Sequence, residues 1–359
     1  MLLFPFEERN AMEKYQKVKE LTEKLEAGIT TLFQSDTYQK WLTTMSRFHN
    51  YSINNQVLIY LQNPQATLVA GYQSWKSQFG RQVRQGEKAI QIIAPVPRQI
   101  EIEKEKINPK TGEIERDIEG KPVKEKSQIN RMTFRVIYVF DVAQTDGREL
   151  PKLGVDELMG VVDRYPVLLK AVSSCCPVPI SYETINNGAK GYYHRIENRI
   201  VVQEGMSEVQ TLKTLIHEMA HQKLHSVKEE DSQEPKEKKT KSSKEVEAES
   251  VAYTVCKYLG IDTSDYSFAY IAGWSSGQEL AELKESMAVI RQAASELITG
   301  IENQLEQLCH PERAKEQESL EAHSEAPKSI LSELGKESLS PIKNAANRHR
   351  NALGKGEER

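Results

Sequence analysis

Apolar residues recur at helical spacing through the first third of the chain. Between Glu7 and Phe33 they fall about one helical face apart with charged residues between them, which predicts an amphipathic helix that serves packing. Further helices are predicted over Tyr38–Phe48 and over 55–61, where the apolar run ends before a proline. A short helix with an aromatic pair is predicted over Gly71–Lys76. The chain therefore begins with a helical region.

Strand patterns follow this helical region. Apolar runs over Ala89–Val96 and Thr133–Val142 predict two core strands. The segment 98–131 between them holds nine basic and eight acidic residues around isolated isoleucines. We expect this segment to form an exposed charged hairpin on the rim of a first α+β domain, residues 1–150.

The second half of the chain predicts a small sheet between helices. Two helices, at 156–172 and 276–308, flank three short strands at 178–182, 191–194 and 199–203. The strand Arg199–Gln203 directly precedes the next helix, so we expect it to be an exposed edge strand that holds an extended peptide by main-chain hydrogen bonds. The patterns together predict an α+β chain with a second domain at 151–308.

Two segments have the composition of disordered chain. Residues 226–244 contain six lysines and five acidic residues around Pro235, with almost no apolar side chain. The tail, residues 309–359, is charged, rich in serine and poor in aromatic residues. We expect a disordered loop and a disordered C-terminal tail, because neither segment can bury enough apolar surface to fold.

The sequence also indicates a cellular location and argues against sites built from cysteines. Met1–Phe6 is too short for a signal peptide, and no apolar run approaches the length of a membrane span, so the expected location is the cytoplasm. The positions of the four cysteines suggest no disulfide framework, and the lack of a CxxC pair argues against a cysteine zinc site.

The strongest chemical signal is a pair of histidines four residues apart. His217 and His221 enclose Glu218, which directly follows the first histidine, and Ser207 with Gln210 predicts a capping box at the start of this helix. On a helix both rings lie on one face, one turn apart. They can then share Zn²⁺, or Mn²⁺ or Co²⁺, while Glu218 takes a proton from a bound water as the catalytic base.

A zinc site of this kind requires a third ligand, which the next helical run can supply. Glu245 lies 24 residues after His221 (245 − 221 = 24), and Glu249 lies one turn further along the same face. One of them can ligate the metal while the other orients a histidine. We prefer Glu245 as the ligand and keep Glu249 as the alternative. His225 is expected to be structural or at the surface, since three protein ligands must leave a fourth position for water.

The net charge of −4 conceals a basic region. From Lys40 to Pro97 there are six basic residues and one acidic residue, a local charge of +5 (6 − 1). Aromatic rings and amides lie among these cations, which is the pairing that single-stranded nucleic acid binding requires. Packing in the core remains an equal alternative for Tyr72 and Trp75. The candidate DNA-binding residues are Arg47, His49, Asn50, Tyr51, Asn54, Asn55, Tyr72, Trp75, Lys76, Arg81, Arg84 and Lys88.

These motifs, in this order, resemble a known family. The helix junction with Ile53-Asn54-Asn55, the Trp75 helix, the basic turn 82–88 and the strand end 139–145 resemble the N-terminal single-stranded DNA-binding domain of ArdC-like antirestriction proteins. The HExxH helix, the Glu-rich helix and the stretch 267–274 resemble that family's zincin-like metallopeptidase domain, which is related to ImmA/IrrE-type metallopeptidases. The resemblance covers residues 38–303, and the charged hairpin and the insertion after His225 depart from it.

Two functional hypotheses of different class follow. The first is a zinc metallopeptidase bound to single-stranded DNA, encoded by a mobile genetic element, that protects incoming DNA and cleaves a host protein. The second is a non-proteolytic protector that binds single-stranded DNA and whose zincin domain is structural or binds proteins. Tyr270 and Trp274 are expected to pack in the core, with carbonyl polarisation as the alternative role of Tyr270.

Overall fold

The chain folds as an α+β protein. The computed structural model describes residues 6–106, 114, 116, 120–150, 164–226, 239–264, 266, 268 and 271–310. Nearly all of the expected disordered tail, most of the expected loop at 226–244, and Tyr270 lie outside these residues. Among the described helices, none combines the length and apolar composition that a membrane span requires.

The predicted helices and strands occur in the predicted order, together with four short elements at 69–71, 81–83, 145–147 and 271–275 that were not predicted. The helices are α1 Phe6–Leu32, α2 Ser35–Arg47, α3 Ile53–Gln62, α4 Tyr72–Ser77, α5 Arg164–Ser174, α6 Glu208–His225, α7 Lys241–Tyr258, α8 Ile271–Ser275 and α9 Leu280–Cys309. The strands are β1 Val69–Gly71, β2 Arg81–Val83, β3 Ile90–Glu105, β4 Lys124–Asp141, β5 Thr145–Gly147, β6 Ile180–Glu183, β7 Gly191–His194 and β8 Arg199–Gln203.

The first half contains a three-stranded antiparallel sheet in the order β1-β4-β3. Strands β3 and β4 stay paired from Ile90↔Val139 out to Glu105↔Lys124, so both run well into the segment that we predicted as a charged excursion. Cross-strand ion pairs support the outer part, with 3.3 Å between Lys124 and Glu103 and 2.6 Å between Lys126 and Glu101. The predicted hairpin is therefore an extension of the core strands.

Helix α3 covers the free edge of β3. The Asn55 side chain donates to the Ile93 carbonyl and accepts from the Ile93 N–H, both at 2.9 Å. Gln62 forms the same pair of bonds with Gln91, at 2.8 and 2.9 Å. These two amides satisfy backbone groups that an edge strand would otherwise leave open for another chain.

The second half contains a three-stranded sheet in the order β6-β8-β7, which corrects one expectation. Strand β8 pairs with β6 in parallel and with β7 antiparallel, so Arg199–Gln203 is the central strand and not an edge. Strand β7 is the edge that lies against α6. Chain order placed β8 beside α6, but it carries no information on which strand inserts between the other two.

A single hydrophobic cluster joins the two halves of the chain. Apolar side chains of α1 and α2 pack with those of α7 and α9 in this cluster. A buried hydrogen bond of 2.8 Å between the Tyr38 hydroxyl and the Ser250 hydroxyl crosses the same interface. The expected boundary near Pro151 lies outside the described residues, and the division into domains 1–150 and 151–308 stays a prediction.

Candidate functional site

Helix α6 places the histidine pair at the wall of a cleft. Ser207 caps the helix by accepting the Gln210 N–H at 3.3 Å, whereas the Gln210 side chain bonds to Thr214 and Lys190 and does not complete the predicted capping box. One face of the helix, with Leu215, is fully buried in the core. The opposite face must then carry the imidazoles toward the cleft, as the helical period requires.

The two imidazoles and one carboxylate converge on a single point. Nε2 of His217 and Nε2 of His221 are 3.0 Å apart, and Oε2 of Glu245 is 3.7 Å from the first and 3.5 Å from the second. These three side chains are the group of candidate ligands that the described residues bring within metal-binding reach. Two imidazole nitrogens and one carboxylate oxygen are a donor set that fits a divalent metal ion.

Glu249 occupies the other side of the first histidine. Its Oε2 lies 3.2 Å from Nδ1 of His217, whereas Glu245 approaches Nε2 of the same ring. The two carboxylates that the sequence left as alternatives therefore have different partners. Glu245 is placed as a ligand would be, and Glu249 is placed to hold the ring orientation of His217.

The pKa values of His217 and Glu245 reflect how closely these side chains approach each other. Burial disfavours a charged imidazole at His217, but hydrogen bonds to Glu245 and Glu249 outweigh it and raise the pKa of His217 to about 10. Hydrogen bonds from His217 and His221 hold the pKa of Glu245 far below its usual range. In the metal-free protein a proton thus occupies the place where a cation would bind.

Glu218 lies beside these groups, between α6 and β7. It is only 7% exposed, and burial raises the pKa of its carboxyl, against the opposing effect of His217 and His221. Its carboxylate also accepts a hydrogen bond from the Tyr193 backbone N–H. A carboxylate with a raised pKa beside a metal-binding pair is suited to accept a proton near neutral pH.

Gly191 allows β7 to approach this carboxylate closely. A Cβ at this position would lie 2.6 Å from Cγ2 of Thr214 and 3.3 Å from Cγ of Glu218. Both distances are shorter than carbon atoms tolerate without displacement. A cleft of about 670 Å³ is lined by β7 and by the three candidate ligands. The edge of β7 therefore lies directly beside Glu218.

His225 and Glu247 form a buried polar pair behind His221. His225 is 7% exposed and Glu247 is 0% exposed, and Nε2 of the histidine is 3.1 Å from Oε2 of the carboxylate. The i, i+4 spacing from His221 was the available signal for His225. The sequence gave no comparable signal for Glu247, which looks like one more acid in a Glu-rich helix start.

The comparison with known proteins finds a similarity in the N-terminal region of the chain. A family model for the N-terminal domain of anti-restriction factor ArdC matches residues 12–140. Residues 12–140 are ArdC-like. This match confirms the resemblance that the motifs of the N-terminal region predicted.

One curated relative and two solved structures are also similar to this chain. The chain is 28% identical over 328 residues to pXO2-81, an uncharacterized protein of Bacillus anthracis, covering 84% of this chain and 54% of that protein. It thus spans about half the length of this curated relative. It also resembles crystal structures of the antirestriction protein ArdC from plasmid R388, with a TM-score of 0.40 in each case. The metal-free form is 22% identical and covers 73% of this chain and 86% of that chain, and the Mn(II)-bound form is 21% identical and covers 81% and 97%.

Several candidate DNA-binding residues of the ArdC-like region are buried or half-buried and are engaged in the fold. Trp75 is 0% exposed and donates to the Phe140 carbonyl at 2.9 Å. Tyr51 and His49 are buried, and the Asn55 amide serves the edge of β3. Arg47 donates to the Ala66 carbonyl at 3.1 Å. The structure gives these five side chains packing or hydrogen-bonding roles within the protein.

The two arginines of the basic turn brace the β2–β5 pair. Arg81 donates to the hydroxyl and the carbonyl of Thr145, at 2.7 and 2.8 Å. Arg84 forms ion pairs with Glu87 at 2.7 Å and with Asp146 at 3.4 Å. Their charges are therefore partly committed to the turn.

The remaining candidates are exposed, and Tyr72 among them lies beside an aromatic residue of β4 that was not a candidate. Asn50, Asn54, Tyr72, Lys76 and Lys88 are exposed. The Tyr72 ring contacts Phe140 with 6.3 Å between centroids. Phe134, Tyr138 and Phe140 share one face of β4, since alternate residues of a strand point the same way. Phe134 is 58% exposed, Tyr138 49% and Tyr72 47%, and we call these three residues the exposed aromatic face.

Proposed function

We propose that this ArdC-like protein is a metal-dependent peptidase joined to a single-stranded DNA-binding region, and that it acts in antirestriction. The observation that carries the proposal is the convergence of His217, His221 and Glu245, with Glu218 beside them. Zn²⁺ is the ion we assign, since this donor set is typical of zinc peptidases, and Mn²⁺ or Co²⁺ are accepted by similar sites. The match of residues 12–140 to the ArdC N-terminal domain supports the antirestriction part.

The residues around the cleft have different roles in peptide hydrolysis. A bound divalent ion would supply Lewis acidity to polarise a substrate carbonyl and to make water acidic. Glu218 then accepts the proton released by the attacking water and donates a proton to the leaving amine. Its raised pKa favours both steps near neutral pH. The carboxylate is a stronger base than usual when it accepts the proton, and the carboxyl can still release that proton to the amine.

Strand β7 is the element that we assign to substrate binding. It is the edge of its sheet next to the cleft, and main-chain groups of an edge strand hold extended peptides. Gly191 lets this strand lie against Glu218, so a peptide bond paired along β7 would pass close to the proton acceptor.

The exposed aromatic face is the surface that we assign to single-stranded DNA. Its three rings are open to solvent, and bases stack on such rings without regard to sequence. Lys76, one turn from Tyr72 on α4, is exposed and can contact phosphate. This surface also favours the second candidate function, a protector that binds single-stranded DNA without proteolysis.

Three measurements on the full chain test the proposal. Metal analysis should give about one divalent ion per chain, and His217→Ala combined with His221→Ala should remove it. Glu218→Gln should keep the ion and reduce hydrolysis of a peptide library by ~10²- to 10⁴-fold. An unchanged metal content in the histidine double variant would disprove the site. Hydrolysis that survives in Glu218→Gln would disprove the role of the carboxylate.

A further inference from the structure

A chain of hydrogen-bonding groups runs inward from the second histidine of the candidate metal site. Nδ1 of His221 is 3.1 Å from Nδ1 of His225. Nε2 of His225 is 3.1 Å from Oε2 of Glu247. The contact starts on the side of the His221 ring that faces away from Glu245. This series of hydrogen bonds therefore contacts His221 at the ring nitrogen opposite the one that faces the metal site.

The end of the chain is anchored by two donors from other parts of the fold. Oε1 of Glu247 accepts from Nζ of Lys239 at 2.6 Å and from the Ser286 hydroxyl at 3.0 Å. Lys239 precedes α7, and Ser286 lies on α9. A fully buried carboxylate is costly unless donors hold its charged form, and here three donors surround it. Glu247 is thus held as an acceptor.

Proton positions along the chain follow from that anchor. Because a carboxylate can only accept, Nε2 of His225 must carry the proton toward Glu247. A neutral His225 then presents Nδ1 as an acceptor, so Nδ1 of His221 must donate to it. The remaining nitrogen of His221, Nε2, has no proton and offers its lone pair. That is the atom that faces His217 and Glu245.

We infer that His225 and Glu247 are positioning residues, which fix the tautomer and ring orientation of His221 so that Nε2 is free to bind a metal ion. The inference deepens the proposed function and rests on its metal site. A simple ion pair between Glu247 and Lys239 would also satisfy the buried carboxylate, but it would not require a histidine between that carboxylate and His221. Outer partners of this type contribute ~10- to 100-fold to metal affinity.

Glu247→Gln is the sharpest perturbation. It keeps the side-chain volume but changes which ring nitrogen of His225, and in turn of His221, carries the proton. Lys239 and Ser286 both donate, so the amide oxygen turns toward them and the amide nitrogen turns toward His225. His225 must then accept at Nε2 and donate from Nδ1, which forces the proton of His221 onto Nε2. We expect Zn²⁺ affinity, measured by chelator competition, to fall ~10- to 100-fold.

Thr254→Val is the matched control. Thr254 is also fully buried on α7, and its hydroxyl donates to the Ser250 carbonyl at 2.8 Å without touching the metal site. It should lower the melting temperature and leave Zn²⁺ affinity unchanged. Equal affinity losses in Thr254→Val and Glu247→Gln would reduce the role of Glu247 to stability and overturn the inference.

Substitutions at His225 test the acceptor separately. His225→Asn places an oxygen near the position of Nδ1 and should retain most of the affinity, whereas His225→Leu should lose ~10- to 100-fold. The visible absorption of the Co²⁺-loaded protein should change in the leucine variant and stay close to wild type in the asparagine variant. Indistinguishable affinities and spectra in these two variants would contradict the inference.

A measurement on the wild type keeps the inference testable if a variant does not fold. Nitrogen-15 spectra of labelled histidines report which ring nitrogen carries the proton. We expect His225 protonated at Nε2 in the Zn²⁺-loaded protein, and the opposite tautomer would overturn the proton assignment. A wild type that binds no metal would instead disprove the proposed function, so the two failures are distinguishable.

Discussion

Trp75 and Tyr72 lie three residues apart on α4, and the structure predicts opposite consequences for replacing them. Trp75 is 0% exposed and packs with Leu68, Ala70 and Val83 in one hydrophobic cluster. Tyr72 is 47% exposed and belongs to the exposed aromatic face. We therefore expect Trp75→Ala to affect stability and Tyr72→Ala to affect DNA binding.

The magnitudes follow from burial. Removing a buried tryptophan costs about 3–5 kcal/mol in lost transfer free energy and cavity formation. The Phe140 carbonyl also loses its donor at 2.9 Å, which adds roughly 1 kcal/mol. The loss is a large part of a typical domain stability of about 5–15 kcal/mol. Replacing Tyr72 should change the free energy of unfolding by no more than about 0.5 kcal/mol.

The binding effects have the reverse order. A base stacked on an aromatic ring contributes about 1–3 kcal/mol, so Tyr72→Ala should weaken binding of a single-stranded oligonucleotide by roughly 5- to 150-fold. Trp75→Ala should bind with near wild-type affinity at temperatures where it remains folded.

Urea unfolding and fluorescence anisotropy with a labelled oligonucleotide measure the two effects side by side. The steep fall of affinity with salt should persist in Tyr72→Ala, because the phosphate contacts are unchanged. The reasoning is refuted if Trp75→Ala loses less than about 1 kcal/mol of stability. It is also refuted if Tyr72→Ala binds as tightly as wild type while folded Trp75→Ala does not.

Three further predictions concern the metal site. Glu249→Gln should weaken metal binding ~10- to 100-fold, and Glu245→Gln should weaken it further, as chelator competition will show; the reverse order would exchange their roles. Because the pKa of His217 is raised to about 10, metal binding at pH 7 should release a proton, and affinity should rise up to about tenfold per pH unit toward pH 10. Calorimetry in buffers of different ionisation enthalpy measures that release, and its absence would contradict the assigned charge. Gly191→Ala should displace β7 from Glu218, lower stability by about 1–3 kcal/mol and reduce peptide hydrolysis, and full activity would show that the close approach is not needed.

Local patterns predicted much of the fold and the centre of the site. The 3.6-residue period placed the two histidines of HExxH on one face of a helix, and helical spacing brought Glu245 and Glu249 to the same side. The helices and strands that local patterns predicted also occur in the predicted order. These features depend on residues close together in the chain, where spacing alone determines direction.

Features that depend on distant segments escaped prediction. Strand β8 is central because β7 joins its far side, and no local pattern encodes that insertion. In the sequence, Trp75 lies among the basic and aromatic residues that are typical of a DNA-binding region. In the structure it is buried in a hydrophobic cluster and donates to the Phe140 carbonyl on β4, which is distant in the chain. Glu247 lies between the buried residues Val246 and Ala248 on a helix that is covered on several sides, so its partners come from Lys239, His225 and Ser286.

The most direct test of the central claim is the protection of transferred single-stranded DNA in a restricting host by wild type and by Glu218→Gln. The substitution keeps the side-chain volume and the three candidate ligands, so metal content and affinity for single-stranded DNA should match wild type. Our account predicts that Glu218→Gln loses protection, because its side chain cannot accept the proton that hydrolysis requires. Full protection by Glu218→Gln, with metal and DNA binding intact, would contradict a proteolytic mechanism and favour the protector that acts by binding alone.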